Sequence, residues 1–471
     1  MPGQGTPRNE TRDRTRDHAH LIRLHERSLA QQEAVRRQTF APGAEKTLRP
    51  FSIWEISQFM FDMPADTLRK KLADDPSLPR GKTEGQTVGK TKGDGRQRWF
   101  TLDEINTLRT RLSFRGRALA PQRAGGRALR AAVANFKGGV GKTVVAQHFA
   151  HAAALDGYRV LVVDFDPQAT LTHAMGLSAV HEEATVWGIL CRDLAREADR
   201  IAATWDDPDD CPYPSSDELP EDVRALGGLA PDDFIRPTCW PTIDIVPSCA
   251  NAAFVEFASA QYRALHKAWS FFGCVSRFLD EIPEGRYDLI LFDCPPAIGY
   301  QSLNAAFAAD MLIIPSGPGY WEYDSTTSFL GQLGDALGDI AEGFGPLARE
   351  AGLALPKTFL DTRILMTRFE ASNELHQAMY DAFRRVFGAD VCRHPVELTR
   401  AVEQSGRFQM SIYEQDYRRM TRETWKRART SFDNAYGEFR ATWLAAWHHM
   451  AASQNQAADQ TSRQTDRRAA P

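Results

Sequence analysis

The 471-residue sequence is poor in cysteine and has no long apolar segment, and each shortage excludes a class of protein. Its seven cysteines are scattered and include no Cys-x-x-Cys pair. Such thiols argue against a disulfide-stabilised scaffold and favour the reducing cytoplasm. No apolar run approaches the about 20 residues that span a bilayer. The Arg-rich N-terminus also lacks the apolar core of a signal peptide, so we expect a soluble, cytoplasmic protein.

The charges are unevenly distributed, although the net charge is only −4. Residues 1–130 contain 26 Lys and Arg residues against 15 Asp and Glu residues, whereas the rest of the chain contains 31 against 46. A basic front section on an acidic body favours a polyanion as the partner of the front section. A basic surface that is merely solvated is the alternative. The length leaves room for about two or three domains.

The most informative stretch is residues 131–143, with the sequence AAVANFKGGVGKT. An apolar strand is followed by a glycine-rich turn and by an Ala-rich helix over residues 144–156. Glycines allow backbone N–H groups to turn toward an anion, and the helix start adds N–H groups and the positive end of its dipole. Lys142 can reach the β- and γ-phosphates of a nucleotide, and Thr143 can place its hydroxyl on Mg²⁺. The pattern predicts phosphate binding by Lys137, Gly138, Gly139, Val140, Gly141, Lys142, Thr143 and Val144.

This loop resembles the deviant Walker A loop, KGGVGKT, of the ParA/MinD/nitrogenase-iron-protein class. Phe136 occupies the place of the first glycine of an ordinary Walker A loop, and an additional lysine, Lys137, precedes Lys142 by five residues. In that class the early lysine reaches phosphates held by the other subunit of a dimer. The resemblance therefore implies an ATP-dependent homodimer in which Lys137 and Lys142 both contribute to catalysis.

Two acidic motifs follow buried apolar strands, RVLVVDFDPQ at residues 159–168 and YDLILFDCPPAIG at residues 287–299. Ligands of doubly wound sheets lie outside the carboxyl ends of the strands. The first motif resembles the Walker A′ motif of ParA proteins, which implies that Asp166 positions the attacking water. Asp164 is then structural or linked to Mg²⁺. In the second motif, Asp293 is placed like a Walker B aspartate that holds Mg²⁺ through water.

The resemblance extends to the base of the nucleotide. In the family, the strand near residues 310–315 and the following loop pack on the base, which implies that Pro315 contacts adenine. Asn304 stands where the family has an asparagine after the switch II loop, and it is the second expected contact. The absence of an Asn-Lys-x-Asp motif favours ATP over GTP. Cys294 lacks companion cysteines at iron–sulfur spacing and is expected to be a small buried residue.

The basic front section has the pattern of a winged helix-turn-helix. Capping boxes at residues 52–55 and 101–104 open two helices, and a basic helix between them starts at Pro64 and buries Leu68 and Leu72. A hairpin wing is predicted over residues 79–100. The layout and the run at residues 96–109 are similar to the RepA partition proteins of repABC plasmids. The expected DNA contacts are Thr67, Arg69, Lys70, Lys71, Arg96 and Arg98.

The predicted fold is a doubly wound, mostly parallel α/β domain over residues 131–450, preceded by the winged domain over residues 51–114 and a basic linker over residues 115–130. Residues 1–50 are expected to be flexible or helical, and their helix is either a dimerisation helix or a solvated one. An acidic insertion at about residues 178–240 is expected to be a solvated or partner-binding loop. The apolar face at residues 439–447 is expected to pack in the core, and residues 451–471 are expected to be disordered.

The resemblance implies a slow, Mg²⁺-dependent partition ATPase that acts as a sandwich dimer. It further implies nucleoid association through non-specific DNA binding, stimulation by a ParB-like (RepB-like) partner, and operator binding with autorepression through the winged domain. Three alternatives stay open at this point. They are a MinD-like membrane-associated positioning ATPase, a nucleotide-gated repressor without significant turnover, and a reductase of the nitrogenase-iron-protein type.

Overall fold

The computed structural model describes residues 20–24, 26–28, 31, 46–83, 98–123, 125–177, 180–203, 215–250, 255–350 and 353–469. The chain divides into two units, Met1–Lys46 and Thr47–Pro471. The described residues of the first unit between 20 and 31 are helical, and the side chains of Leu21, Ile22 and Leu24 are exposed there. The proposed role of this helix in dimerisation remains a prediction.

The second unit begins with a three-stranded antiparallel sheet and three short helices. Strand β3 (Arg98–Phe100) pairs with both β1 (Phe51–Ser52) and β2 (Lys82–Thr83). Both predicted capping boxes are present, at Ser52 and at Thr101. The wing segment at residues 84–97, with Arg96, lies outside the described residues. The elements are β1 (Phe51–Ser52), α1 (Ile53–Glu55) with a π-helical turn (Ile56–Met60), α2 (Ala65–Asp74), β2 (Lys82–Thr83), β3 (Arg98–Phe100) and α3 (Leu102–Arg111).

The segment predicted to be a basic linker is folded instead. Strands β4 (Ser113–Phe114) and β5 (Arg117–Ala118) form a hairpin. Arg123 then forms an ion pair with Asp288 at 3.0 Å, and Arg127 forms one with Asp310 at 2.7 Å. These partners lie more than 160 residues further along the chain than the arginines. The local sequence therefore looks like a linker, although its arginines attach it to the following domain.

A seven-stranded sheet forms the centre of the second unit, with the order β12-β11-β6-β10-β7-β9-β8. Every neighbouring pair is parallel except β8 with β9. The mostly parallel α/β class predicted from the sequence is thereby confirmed. The strands are β6 (Leu129–Val133), β7 (Val160–Asp164), β8 (Arg236–Pro237), β9 (Ile243–Val246), β10 (Leu289–Asp293), β11 (Met311–Ser316) and β12 (Asp361–Met366).

Helices cover both faces of this sheet, which explains why its strands are continuous apolar runs. Along β7, Val160 and Val162 join one hydrophobic cluster, while Leu161 and Val163 join the other. The remaining helices are α4 (Lys142–Leu155), α5 (Thr170–Ala174), α6 (Val186–Ala202), α7 (Glu221–Leu226), α8 (Val255–Leu265), α9 (Cys274–Asp280), α10 (Tyr300–Ala308), α11 (Tyr320–Glu350), α12 (Glu374–Phe387), α13 (Arg400–Arg407) and α14 (Arg422–Ala469).

The part predicted as a winged domain, residues 51–114, shares a core with the last helix, α14. The ring of Trp54 lies 5.1 Å from that of Tyr417 and 6.1 Å from that of Trp425, and Phe59 lies 5.6 Å from Trp425. The Arg109 guanidinium of α3 donates to the C=O of Leu155, at the end of α4. The part predicted as a winged domain is therefore packed on the ATPase part rather than tethered to it.

Two further expectations are wrong. In the segment 178–240, residues 186–202 form a helix that buries Ile189, Leu190 and Leu194 rather than a solvated loop. This helix has the 3.6-residue apolar period of a buried helix, although the acidic run at residues 206–210 that follows it favours a loop. The acidic run lies outside the described residues. In addition, α14 continues to Ala469 across the tail predicted to be disordered. That tail is rich in alanine and has no glycine or proline before Pro471, which favours a helix.

The apolar face of α14 is buried, as expected, with Phe439, Trp443 and Trp447 at most 3% exposed. This part of the chain packs against the sheet cluster that includes Phe149 and Tyr158. Among the described residues, none of the helices has the length and apolarity needed to cross a membrane.

Candidate functional site

The glycine-rich loop between β6 and α4 has an open rim. Gly139 and Gly141 have left-handed backbones, with φ of 76° and 90°, which L side chains rarely adopt. A Cβ atom built at Gly138, Gly139 or Gly141 would meet no atom within 4 Å. The loop therefore encloses space next to the N-terminus of a 14-residue helix, where backbone N–H groups favour an anion.

Residues distant in sequence hold this loop in place. The Thr367 hydroxyl donates to the C=O of Val140 at 2.7 Å, and the Arg368 guanidinium donates to the C=O of Gly139 at 3.4 Å. The Asn135 amide donates to the C=O of Pro315 at 2.8 Å. Sequence reasoning missed Thr367 and Arg368, because only the fold brings the end of β12 beside the loop.

Lys142 is buried at the start of α4. Its side chain is 7% exposed, and Nζ donates to the C=O of Lys137 at 3.0 Å. Burial lowers the pKa of Lys142, and the nearby carboxylates of Asp293 and Asp166 oppose that shift. The ammonium group thus lies inside the loop, close to both acidic motifs, as the sequence predicts for a phosphate-binding lysine.

Asp164 and Asp293 end adjacent parallel strands and lie side by side in register. Both are completely buried. Burial raises the pKa of Asp164 to about 7, although hydrogen bonds from Thr172 and Asp166 oppose the rise. Asp164 accepts from the N–H of Thr172 at 2.9 Å, from its hydroxyl at 2.7 Å and from the N–H of Asp166 at 3.1 Å. These contacts match the structural role that the sequence left open for Asp164.

Asp293 is the less satisfied member of this pair. Neither of its carboxylate oxygens has a hydrogen-bond partner of good geometry among the described residues. Burial first, and then the charge of Asp164, raise the pKa of Asp293 well above its usual value, while Thr143 and Lys142 oppose the rise. A buried carboxylate without a partner is costly. A cation or an ordered water is therefore the expected partner of Asp293.

Asp166 and Lys137 lie nearer to solvent. Asp166 is partly exposed and accepts from the N–H of Gln168 at 2.9 Å. The Lys137 ammonium forms an ion pair with Glu322 at 3.1 Å, and both side chains are about a third exposed. Glu322 lies in the first turn of α11, after two exposed aromatic side chains, Tyr320 and Trp321. Lys137 is therefore paired within its own chain in this structure.

Asn304 and Pro315, the expected base contacts, are both buried. The Asn304 amide accepts from the N–H of Val275 at 3.2 Å and donates to the C=O of Tyr300 at 2.9 Å. Both ends of this amide are engaged within the protein, which favours a structural role over the expected contact with a base. Pro315 lies on β11 and offers its C=O to Asn135, so its contact with adenine remains a prediction.

The expectation for Cys294 is confirmed, since the residue is 1% exposed and burial raises the pKa of its thiol. Within the described ranges, the structure brings together no group of three His, Cys, Asp or Glu side chains that could hold a metal ion.

The expected DNA contacts lie mainly on α2. Arg69 and Lys70 are exposed, whereas Thr67 and Lys71 are partly exposed, and Leu68 faces the core as predicted. Arg69 pairs with Asp66 at 2.6 Å on the surface. Two of the six predicted contacts lie elsewhere. Arg98 lies on β3 and is partly exposed, and Arg96 is outside the described residues.

A strand, a glycine-rich loop, a lysine at the start of a helix and an aspartate on the neighbouring strand define a P-loop nucleotide-binding domain. The lysine at position 137 assigns it to the deviant Walker A class. A family described as AAA domain matches residues 130–336. The solved structure of a protein described as a partition protein covers 91% of this chain and 99% of its own, with a TM-score of 0.55 at 16% identity, which supports the fold.

Two curated relatives identify the family. A Sinorhizobium fredii protein, provisionally named replication protein A, is 30% identical over 87% of this chain and 90% of its own length. Protein SopA of Escherichia coli strain K12 is 28% identical over 67% of this chain and 70% of its own. The chain belongs to the ParA family of partition ATPases, in its RepA-like branch.

Proposed function

We propose that this protein binds ATP at the loop of residues 137–144 and hydrolyses it slowly to drive DNA partition. The observation that carries this proposal is the buried pair of Lys142 and Asp293 beneath an open loop. Lys142 supplies a positive charge where phosphates would lie. The N–H groups of the loop and of the start of α4 supply further donors.

The residues present fit a bound Mg²⁺ ion. Neither buried oxygen of Asp293 has a hydrogen-bond partner of good geometry among the described residues, and the Thr143 side chain lies close enough to lower the pKa of this carboxyl by hydrogen bonding. A hydroxyl and a carboxylate are the hard oxygen ligands that Mg²⁺ prefers, together with water and phosphate. When bound, the ion would neutralise charge that develops on the phosphates. Thr143 and Asp293 would hold it, and Asp164 would fix the strand end beside them.

Asp166 would orient the attacking water, because it lies on the exposed side of this acidic group and still affects the pKa values of Lys142 and Asp293. Positioning and charge stabilisation supply most of the rate enhancement in phosphoryl transfer. In the proposed dimer, Lys137 would leave Glu322 and neutralise phosphate charge in the partner subunit. Closure of two subunits is therefore part of the catalytic cycle.

The proposed role in partition adds contacts with DNA and with a second protein. Arg69, Lys70 and Lys71 on α2 would contact an operator, with base recognition limited to a few side chains of this helix. ATP-bound dimers would bind nucleoid DNA non-specifically through surface arginines. A ParB-like protein would stimulate hydrolysis, and operator binding would repress the protein's own operon.

The role assignment is tested by Asp166→Ala and Lys137→Ala. Asp166→Ala is expected to bind ATP, to dimerise and to lose hydrolysis, since only the water would be misplaced. Lys137→Ala is expected to bind ATP as a monomer and to lose both dimerisation and turnover. Sedimentation with ATP and a phosphate-release assay measure the two effects. Normal turnover by Asp166→Ala would show that its assigned role is wrong.

A further inference from the structure

A glutamate that belongs to none of the motifs caps the helix behind Asp293. Glu256, on α8, accepts hydrogen bonds from the N–H of Tyr300 at 2.8 Å and of Gln301 at 3.1 Å, one to each carboxylate oxygen. These N–H groups open α10, whose N-cap residue, Gly299, makes no side-chain capping bond. The first N–H groups of a helix have no partner within the helix, so Glu256 supplies from another helix the cap that Gly299 cannot.

The capped helix holds the loop that follows Asp293. The Ser302 hydroxyl, in the first turn of α10, donates to the C=O of Ala297. At the other end of the loop, the backbone O of Asp293 accepts from the N–H of Phe165 at 2.9 Å. Residues 294–299 are therefore fixed between a strand end and the start of a capped helix.

Gly299 and Glu256 fit together closely. A Cβ at Gly299 would lie 2.3 Å from one carboxylate oxygen of Glu256, 2.6 Å from the other and 2.5 Å from the carbon between them. The φ of Gly299 is −149°, an extended value open to any residue. A side chain at position 299 is therefore excluded by the carboxylate of Glu256 and not by the backbone.

We infer that Glu256 is a positioning residue for hydrolysis: by capping α10 it fixes the loop 294–299 and, through it, the carboxylate of Asp293. This inference rests on the proposed ATPase function. Small displacements around a reacting centre cost up to about a hundredfold in rate. Nucleotide affinity depends chiefly on the separate loop of residues 137–144. Loss of the cap therefore lowers kcat while leaving nucleotide affinity nearly unchanged.

A double-mutant cycle tests the inference. Glu256→Ala removes the cap, and Gly299→Ala displaces it from the other side. Each change is expected to lower kcat about tenfold and to leave KM and the affinity for a fluorescent ATP analogue within about twofold. The double variant is expected to be no slower than Glu256→Ala, because the three atoms nearest to the added methyl group all belong to the missing carboxylate.

Two further variants complete the series. Glu256→Gln keeps one acceptor oxygen and is expected to fall between the wild type and Glu256→Ala. Glu342→Ala changes an exposed glutamate on α11 and is expected to keep the wild-type kcat. Amide hydrogen exchange reports the cap without activity, and exchange at residues 300 and 301 is expected to accelerate in Glu256→Ala.

The outcomes separate this inference from the proposed function. A wild type that hydrolyses ATP, with a Glu256→Ala variant of equal kcat, would overturn the inference alone. Unchanged exchange at residues 300 and 301, or a double variant whose kcat loss is the product of the two single losses, would overturn it as well. A wild type that binds ATP without hydrolysing it would overturn the proposed function and this inference together.

Discussion

Two regions beside helix α4 (Lys142–Leu155) differ in how their buried polar groups are paired. The ligand region surrounds Lys142 and Asp293, and the packed region surrounds His148 and Trp425. At the N-terminal end of the helix, Lys142 and Asp293 are buried, and the oxygens of Asp293 have no well-aligned partner. Along its back, His148 is buried but engaged, since Nδ1 lies 2.7 Å from the C=O of Val144 and Nε2 accepts from the N–H of Ile412 at 3.1 Å. The Asp293 oxygens thus lack well-aligned partners among the described residues, whereas both ring nitrogens of His148 are paired within the protein.

The two regions also respond to acid with opposite sign. Burial raises the pKa of Asp164 from 3.8 to about 7, so its folded form binds a proton more readily and its ionisation destabilises the fold as pH rises through that window. Burial lowers the pKa of His148 from 6.5 to about 4, so the fold loses stability as pH falls through that window. Ligand sites tolerate this internal cost, because binding offsets it.

The largest expected effect is the loss of ATP turnover when the ligand region is disrupted. Lys142→Ala is expected to lower ATP turnover by about a hundredfold or more, since it removes a preorganised charge from the phosphate site. Thermal unfolding is expected to change little, because the lost ammonium was buried at a cost. Lys426→Ala, an exposed lysine on α14, is the matched control and is expected to keep full turnover. Full turnover by Lys142→Ala would contradict the site.

The second prediction concerns the loss of stability when the packed region is disrupted instead. Trp425 is completely buried, and its indole N–H donates to the C=O of Ile412 and of Gln415. Trp425→Ala is expected to lower the free energy of unfolding by about 3–5 kcal/mol, as for other large buried aromatics. Denaturant titration measures this, and limited proteolysis is expected to release residues 51–112 sooner. A loss below about 1 kcal/mol would contradict the shared core.

The third prediction concerns the pH dependence of stability around His148. The pKa of His148 implies a loss of up to about 3 kcal/mol of stability between pH 6.5 and pH 4. His148→Gln keeps an acceptor for Ile412 and does not titrate, so its stability is expected to fall less over this range. Thermal midpoints across the range measure the difference. His181→Gln, at an exposed histidine, is expected to follow the wild type, and equal slopes for all three proteins would contradict the assignment.

The smallest expected effect concerns Asp293. Asp293→Asn removes a buried ionisable group whose ionisation is opposed by burial and by the charge of Asp164. The variant is expected to raise the free energy of unfolding by about 1 kcal/mol while lowering Mg²⁺-dependent turnover. Denaturant titration and phosphate release measure the two quantities on the same sample. A destabilised variant would show that the carboxylate serves the fold, and the contrast between the two regions would then disappear.

Much of the ligand region could be predicted from sequence because its motifs are local. The loop at residues 137–144 and the aspartates at strand ends each lie within about ten residues, and parallel strands bring their carboxyl ends to one edge. The class of fold follows from the same alternation of strands and helices. The capping boxes at Ser52 and Thr101 are equally local and were predicted correctly.

The contacts that hold the site could not be predicted, because they join residues far apart in the chain. Thr367 meets Val140 across 227 positions, and Glu256 meets Tyr300 across 44. The arginines of residues 115–130 resemble a linker in the sequence for the same reason, because their partners Asp288 and Asp310 lie far along the chain. The helix at residues 186–202 is different, since its apolar period is local but an acidic run that favours a loop follows it.

ATP hydrolysis by the purified wild-type protein, with and without duplex DNA and its ParB-like partner, tests the central claim most directly. The account predicts slow turnover that requires Mg²⁺ and rises when DNA and the partner are added together. Turnover that ignores DNA and rises with lipid vesicles, or the absence of any turnover, would contradict a DNA-partitioning ATPase.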